Sequence, residues 1–182
     1  MKELREHEKA NKADEGIKPL VHRINSAPDF VTTSSCAGRI NLVEYDLNEG
    51  KKTADFYKKW HRVVSSEEVE LALSGYTDKK MLWFKVEPFI LHVAAKDLKA
   101  AMRFLKLVRS VGVKRGGIQA ITTGENGKVM IEVQGNGQII IPVEPVQGEW
   151  TKIIAIANKM MNKNLEVLKK LEALKWKSSS KR

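Results

Sequence analysis

Met81-Leu82-Trp83-Phe84-Lys85-Val86-Glu87-Pro88-Phe89-Ile90-Leu91-His92-Val93-Ala94 holds two short apolar runs parted by Glu87-Pro88. Runs of this length, rich in aromatic and branched residues and bounded by a proline, read as two buried strands. The stretches around them extend the pattern. Downstream, Asp97 is an N-cap candidate, and Leu98, Ala101, Met102, Leu105 and Val108 form a helical core stripe that ends at Gly112. Gly117 to Thr122, Lys128 to Val133 and Gln138 to Pro142 then read as three strands. Asn126-Gly127 and Gly135-Asn136-Gly137 are the tight turns between them. A long amphipathic helix closes the chain through Trp150, Ile153, Ile154, Ala157, Met161, Leu165 and Leu168. Upstream, Ile17, Leu20, Val21 and Ile24 mark a helix broken at Pro28, Phe30-Val31 and Ile40 to Tyr45 mark strands, and Glu67 to Leu73 marks a helix stopped by Gly75. Strands follow strands more often than they alternate with helices. The expected class is therefore α+β, a mixed and mainly antiparallel sheet packed against helices, and not a doubly wound sheet.

The 182 residues are expected to form one domain, with 1–25 as an N-terminal helical segment and 149–182 as a basic helix and tail. Hydrophobic residues make up 42% of the chain, yet no apolar run approaches the ~20 residues of a membrane span. Met1 to Lys18 mixes acids and bases, so no secretory signal is expected. One cysteine excludes an internal disulfide framework, fits a reducing, cytoplasmic setting, and rules out a Cys-rich zinc site. The net charge is +10, and the segment from Trp150 to Arg182 carries nine Lys or Arg against Glu166 and Glu172. That is the footprint of a phosphate-binding surface, or equally of a well-solvated helix face.

Several residues carry chemistry. Thr32-Thr33-Ser34-Ser35-Cys36-Ala37-Gly38-Arg39 gathers four hydroxyls, a thiol, a glycine and a guanidinium. Such a run usually occupies a turn or the end of an element, as an array of donors beside an arginine shaped for a carboxylate or phosphate. Lys85, Glu87 and His92 are ionisable residues in or beside the most apolar stretch; a lone strand histidine is more often a satisfied core residue than a catalyst. Trp60-His61 lies in Lys58-Lys59-Trp60-His61-Arg62, which suits stacking on an unpaired base or an amphipathic surface helix. Lys114-Arg115-Gly116-Gly117 offers two cations and close backbone approach, or a plain helix C-cap. Gly135-Asn136-Gly137 lacks the spacing and the following helix of a dinucleotide fingerprint.

Asp29-Phe30-Val31-Thr32-Thr33-Ser34-Ser35-Cys36-Ala37-Gly38-Arg39-Ile40, then Trp60-His61, then Trp83-Phe84-Lys85-Val86-Glu87-Pro88-Phe89-Ile90-Leu91-His92-Val93 resemble the wybutosine-synthesis methyltransferase family. The resemblance continues through Gly112-Val113-Lys114-Arg115-Gly116-Gly117-Ile118 to Ile156-Ala157-Asn158 in the closing helix. Ala37 and Gly116 stand where the family usually has serine, and Glu132-Val133-Gln134-Gly135-Asn136-Gly137 replaces a usual Ile-Arg-Ser-Thr-like run. The resemblance implies a non-Rossmann enzyme that transfers a methyl group from S-adenosylmethionine. Its acceptor would be ring N(4) of the tricyclic modified guanosine 3′ of the tRNA(Phe) anticodon. On that basis Asp29, Ser35 and His92 are the catalytic candidates, with Glu87 a third choice of base. Ser34, Arg39, Gly116 and Gly117 are the cofactor candidates, and Trp60, His61, Lys85, Glu87, Lys114 and Arg115 the substrate candidates. No metal and no membrane are implied, and the oligomeric state is left open. The competing expectations are a non-catalytic RNA-binding module and a thiol enzyme built on Cys36.

Overall fold

A computed structural model describes residues 13–45, 54–77, 80–124, 127–144, 146 and 150–176. The polar start of the N-terminal segment, the turn expected at 48–50, Asn126 and the tail beyond Trp176 lie outside these residues. In chain order the elements are α1 (Lys18–Asn25), β1 (Phe30–Cys36), β2 (Arg39–Tyr45), β3 (Asp55–Trp60), α2 (Ser66–Ser74), β4 (Met81–Glu87), β5 (Ile90–Ala95), α3 (Leu98–Ser110), β6 (Arg115–Thr122), β7 (Lys128–Gln134), β8 (Ile139–Pro142) and α4 (Trp150–Glu172). The class is α+β, and every strand pairing is antiparallel.

The chain forms two compact units: Met1–Ala37, Phe89–Asn136 and Asn164–Arg182 make the first, Gly38–Pro88 and Gly137–Lys163 the second. Each has one four-stranded sheet, ordered β1-β5-β7-β6 in the first and β3-β2-β4-β8 in the second. The two apolar runs that opened the sequence thus belong to different sheets. Pro88, which has no amide hydrogen to give a ladder, stands between β4 and β5.

In the first unit, alternation sets one face of the sheet against the helices. Leu91, Val93 and Ala95 of β5 and Val129, Ile131 and Val133 of β7 join Phe30, Leu20, Ile24, Phe104 and Leu105 in one core. The α3 N-cap is Asp97, whose side chain accepts from Ala100 N at 2.7 Å, and Gly112 follows the helix at φ +91°. The buried stripe of α3 differs from expectation: Leu98 and Met102 are more than half exposed, whereas Ala100, Ala101, Phe104, Leu105 and Val108 are buried. Phe104 is the cause. Its ring meets Phe30 edge-on at 5.3 Å and Trp176 at 5.1 Å, and the buried side lies about a sixth of a turn from the expected one at 100° per residue.

In the second unit, Ile40, Leu42, Leu82, Phe84 and Val86 face a core completed by Val69, Ala72, Trp150 and Ile154. A capping box starts α2: Ser65 Oγ accepts from Glu68 N at 3.2 Å and Glu68 Oε2 accepts from Ser65 N at 3.1 Å. The surface helix considered for Lys58 to Arg62 is not found. Those residues belong largely to β3, an edge strand whose charged side chains stay out of the core.

The hydroxyl run is also corrected. Thr32 to Cys36 is the body of β1, not a turn. β5 satisfies its backbone, a register shift falls between Thr32 and Ser34, and Asn25 ties the Thr32 N–H and hydroxyl at 2.8 and 2.9 Å. Thr in particular suits a pleated strand.

Candidate functional site

Residues opposite one another in a ladder share a face of the sheet. In the first unit Ser34 pairs with His92, His92 with Glu132, and Glu132 with Gly117. One row therefore crosses all four strands on the face turned away from the helices. Cys36, Ile90, Gln134 and Arg115 form the next row on that face. Ser35 pairs instead with Leu91, on the core side, where its hydroxyl is buried with no hydrogen-bond partner. The two neighbouring serines therefore point to opposite faces.

His92 is the centre of the row. Its Nε2 lies 2.8 Å from Glu132 Oε2, while Glu132 Oε1 accepts from Gln134 Nε2 at 3.1 Å. The other ring nitrogen, Nδ1, is buried with no hydrogen-bond partner. Gly117 beside Glu132 leaves open space: a Cβ there would meet nothing within 4 Å. Gly116 is the reverse, because a Cβ there would stand 2.4 Å from the Glu132 carbonyl oxygen. Lys114 is exposed just before β6, and Arg115 is its exposed first residue.

Asp29 lies apart from this row, before the first residue of β1. It stands five positions before Ser34, roughly 16 Å along a strand. It is 3% exposed, and both carboxylate oxygens are taken, by Lys96 Nζ and by Arg103 Nη2, each at 2.5 Å. Burial pushes its pKa up, but the hydrogen bonds from Lys96 and Arg103 outweigh this and hold the carboxyl below its ordinary value. A carboxylate so committed is a weak base and a structural ion pair. Asp29→Asn is expected to cost about 1–3 kcal/mol at neutral pH. That is less than a fully buried pair, because Lys96 and Arg103 are 49% and 31% exposed. A group with a depressed folded pKa stabilises above its unfolded value, about 4, and loses that contribution as pH falls through the folded value. Urea unfolding of wild type and variant should therefore differ at pH 7 and converge in acid.

The second unit has a polar face of its own. Arg39 pairs with Glu87 in register and donates from Nε to Glu87 Oε2 at 2.5 Å; Asn41 Nδ2 donates to the same oxygen at 2.9 Å. Glu87 is thereby fixed as a partner for Arg39, which also lies 4.5 Å over the Phe56 ring. On the same face Tyr45 and Trp83 stack at 5.2 Å, and Lys85 Nζ lies 4.9 Å over Tyr45. Cations and aromatic rings are thus interleaved on one sheet surface. Trp60 falls on the other side of this sheet, opposite Ile40, and lines a cleft of about 320 Å³ with Tyr57, Lys58, Glu68, Leu71 and Ala72. His61 follows β3, its Nδ1 3.2 Å from the Gly38 carbonyl.

The structure therefore brings Ser34, His92 and Gly117 into one row and Arg39, Lys85 and Glu87 onto one face, and it sets Asp29, Ser35 and Trp60 apart from these groups. Glu132 and Gln134 were missed. They are some forty residues from His92 in sequence, and only the β5–β7 register joins them. Among the described residues no helix is long and apolar enough to cross a membrane.

A family model described as methyltransferase TYW3 matches residues 1–175. A Pyrococcus furiosus protein named tRNA(Phe) 7-((3-amino-3-carboxypropyl)-4-demethylwyosine(37)-N(4))-methyltransferase 1 is 38% identical over 170 residues, 88% of this chain and 83% of that protein. A mouse tRNA wybutosine-synthesizing protein 3 homolog is 34% identical over 161 residues, 83% of this chain and 60% of its own length. A solved structure of a Pyrococcus horikoshii protein superposes with a TM-score of 0.82 at 34% identity, covering 94% of this chain and 90% of that one. The family match runs through both sheets and all the elements that carry the row and the cationic face, and on that footing the chain belongs to the methyltransferase TYW3 family.

Proposed function

We propose that the protein methylates ring N(4) of the tricyclic guanosine derivative beside the anticodon of tRNA(Phe), with S-adenosylmethionine as donor. The observation that carries this reading is the Ser34–His92–Glu132–Gly117 row: a strand histidine with one nitrogen held by a carboxylate and the other buried without a partner, in a row that ends in open space at Gly117. The residues fit a sulfonium donor, since Glu132 supplies negative charge and Gly117 supplies room. S-adenosylmethionine, when bound, supplies its methyl group as an electrophile. The protein's own share is orientation and removal of a proton.

Ser34 offers a hydroxyl to orient a ligand, and His92 takes the proton from the acceptor nitrogen. Arg39 is braced by Glu87 at Nε, which leaves its two terminal nitrogens to take a carboxylate or a phosphate. Lys85, with Tyr45 and Trp83, suits RNA by charge and stacking, and Lys114 and Arg115 add cations before and at the start of β6. The exposed lysines of α4 suit a phosphate backbone.

Incubating the protein with labelled S-adenosylmethionine and tRNA(Phe) from cells lacking this gene tests the reading. One added methyl on the tricyclic base, read by nucleoside mass, is expected. Salt-sensitive tRNA binding without transfer would replace the enzyme by a non-catalytic RNA-binding protein.

A further inference from the structure

We propose that Glu132 is the positioning residue that fixes the tautomer of His92, so that Nδ1 is the atom that takes the proton from the acceptor. This rests on the reading of the outward face of β1-β5-β7-β6 as the reaction face.

β5 and β7 pair with His92 directly opposite Glu132, so both side chains leave the sheet on the same face. Glu132 Oε2 is 2.8 Å from His92 Nε2. An ionised carboxylate only accepts hydrogen bonds, so the nitrogen it holds must carry the hydrogen. A neutral imidazole has one N–H, and Nδ1 is therefore left with its lone pair. Gln134 donates to the other Glu132 oxygen at 3.1 Å, so the carboxylate is gripped on both sides and does not swing freely. Gln134 is two residues along the same strand and shares the face.

Nδ1 is the second, independent observation. It is buried and without a hydrogen-bond partner. A buried acceptor left unpaired costs free energy, and native structures rarely leave one unpaired without a use. The groups that face His92 are the Ser34 hydroxyl from β1 and Glu132 from β7, with Ile90 and Ala94 along its own strand. None of these is a cation, so an imidazolium formed by proton uptake meets the Glu132 carboxylate and no like charge among them.

The step balances. The N–H bond of the acceptor ring breaks, and its electron pair stays on nitrogen to form the bond to the methyl carbon as the donor's carbon–sulfur bond parts, its pair leaving on sulfur. The proton ends on Nδ1, giving an imidazolium whose Nε2–H remains on the carboxylate. Without the carboxylate, both tautomers of His92 are open, and the Nδ1–H form cannot accept the proton at that atom. The logic is that of an orienting acid behind a histidine base.

Ring nitrogen NMR of ¹⁵N-histidine-labelled protein tests this, with His92 assigned by its loss in His92→Gln. At alkaline pH the wild-type ring is expected as the Nε2–H tautomer. In Glu132→Gln the ring is expected to shift toward a mixture, and kcat to fall about 10²- to 10⁴-fold with little change in the KM for tRNA. Glu132→Asp should recover part of both. A wild-type Nδ1–H tautomer overturns the proposal even if no variant folds. So does a Glu132→Gln variant with unchanged kcat. Full activity in His92→Gln would instead remove the reading of this face as the reaction face.

Discussion

Replacing His92 with Gln is expected to lower methyl transfer about 10²- to 10⁴-fold, the usual range for loss of the base proposed above, while the protein keeps its fold. The two halves of this expectation have separate grounds. His92 alternates with Leu91 and Val93, which are fully buried in the first core, so the substitution stays on the far side of the sheet from the packing. The stability at stake is that of the His92–Glu132 hydrogen bond, about 0.5–1.5 kcal/mol. Gln can still donate an N–H toward Glu132, so the carboxylate is not stranded. What Gln lacks is a basic nitrogen. Single-turnover transfer at saturating tRNA and cofactor, with a melting curve on the same preparation, checks both halves together. Asp29→Asn makes the opposite pattern, losing stability through the Lys96 and Arg103 pairs. If transfer followed Asp29 and ignored His92, the base would have to be sought elsewhere.

The sequence shows why His92 was visible and its partner was not. Short apolar runs parted by a proline identified β4 and β5, turn signals bounded β7, and the excess of strand following strand pointed to the α+β class. That patterning could not reveal β3, where Asp55, Lys58 and Lys59 leave no alternation and only pairing with β2 makes a strand. Nor could it choose between Ser34 and Ser35. A register shift after Thr32 resets which residue of β1 faces which side, and only the pairing with β5 shows Ser34 on the His92 face. Asp29 stands in the sequence as a candidate base before a polar run. Its commitment to Lys96 and Arg103 depends on cations 67 and 74 residues away in the chain. Position along a chain names the chemistry available; ladder register decides which groups meet.

Gly116→Ala is expected to destabilise the first unit by about 2–4 kcal/mol, whereas Gly117→Ala should leave melting nearly unchanged. The difference does not follow from the sequence, in which the two glycines are neighbours. Gly116 has φ +146°, a backbone region that side-chain-bearing residues rarely adopt. An added Cβ would lie 2.4 Å from the Glu132 carbonyl oxygen, 2.7 Å from Val133 Cγ1 and 2.8 Å from Val133 Cα. Two of those three atoms are backbone and cannot rotate away. Relief requires β6 to part from β7 at the Gly116–Val133 pair, and Val133 is 1% exposed in the core. At roughly 2–4 °C per kcal/mol for a chain of this size, the melting temperature should fall by about 5–15 °C. Gly117 has neither a positive φ nor a neighbour within 4 Å of an added Cβ. Its methyl would instead enter the open space beside Glu132, so reduced methyl transfer with intact melting is the expected signature. Calorimetry and transfer assays on the two variants separate a glycine required by packing on β7 from one required by what approaches the sheet. Equal loss of stability in both would mean that the space at Gly117 closes in solution, and it would remove the ground for proposing that a ligand approaches there.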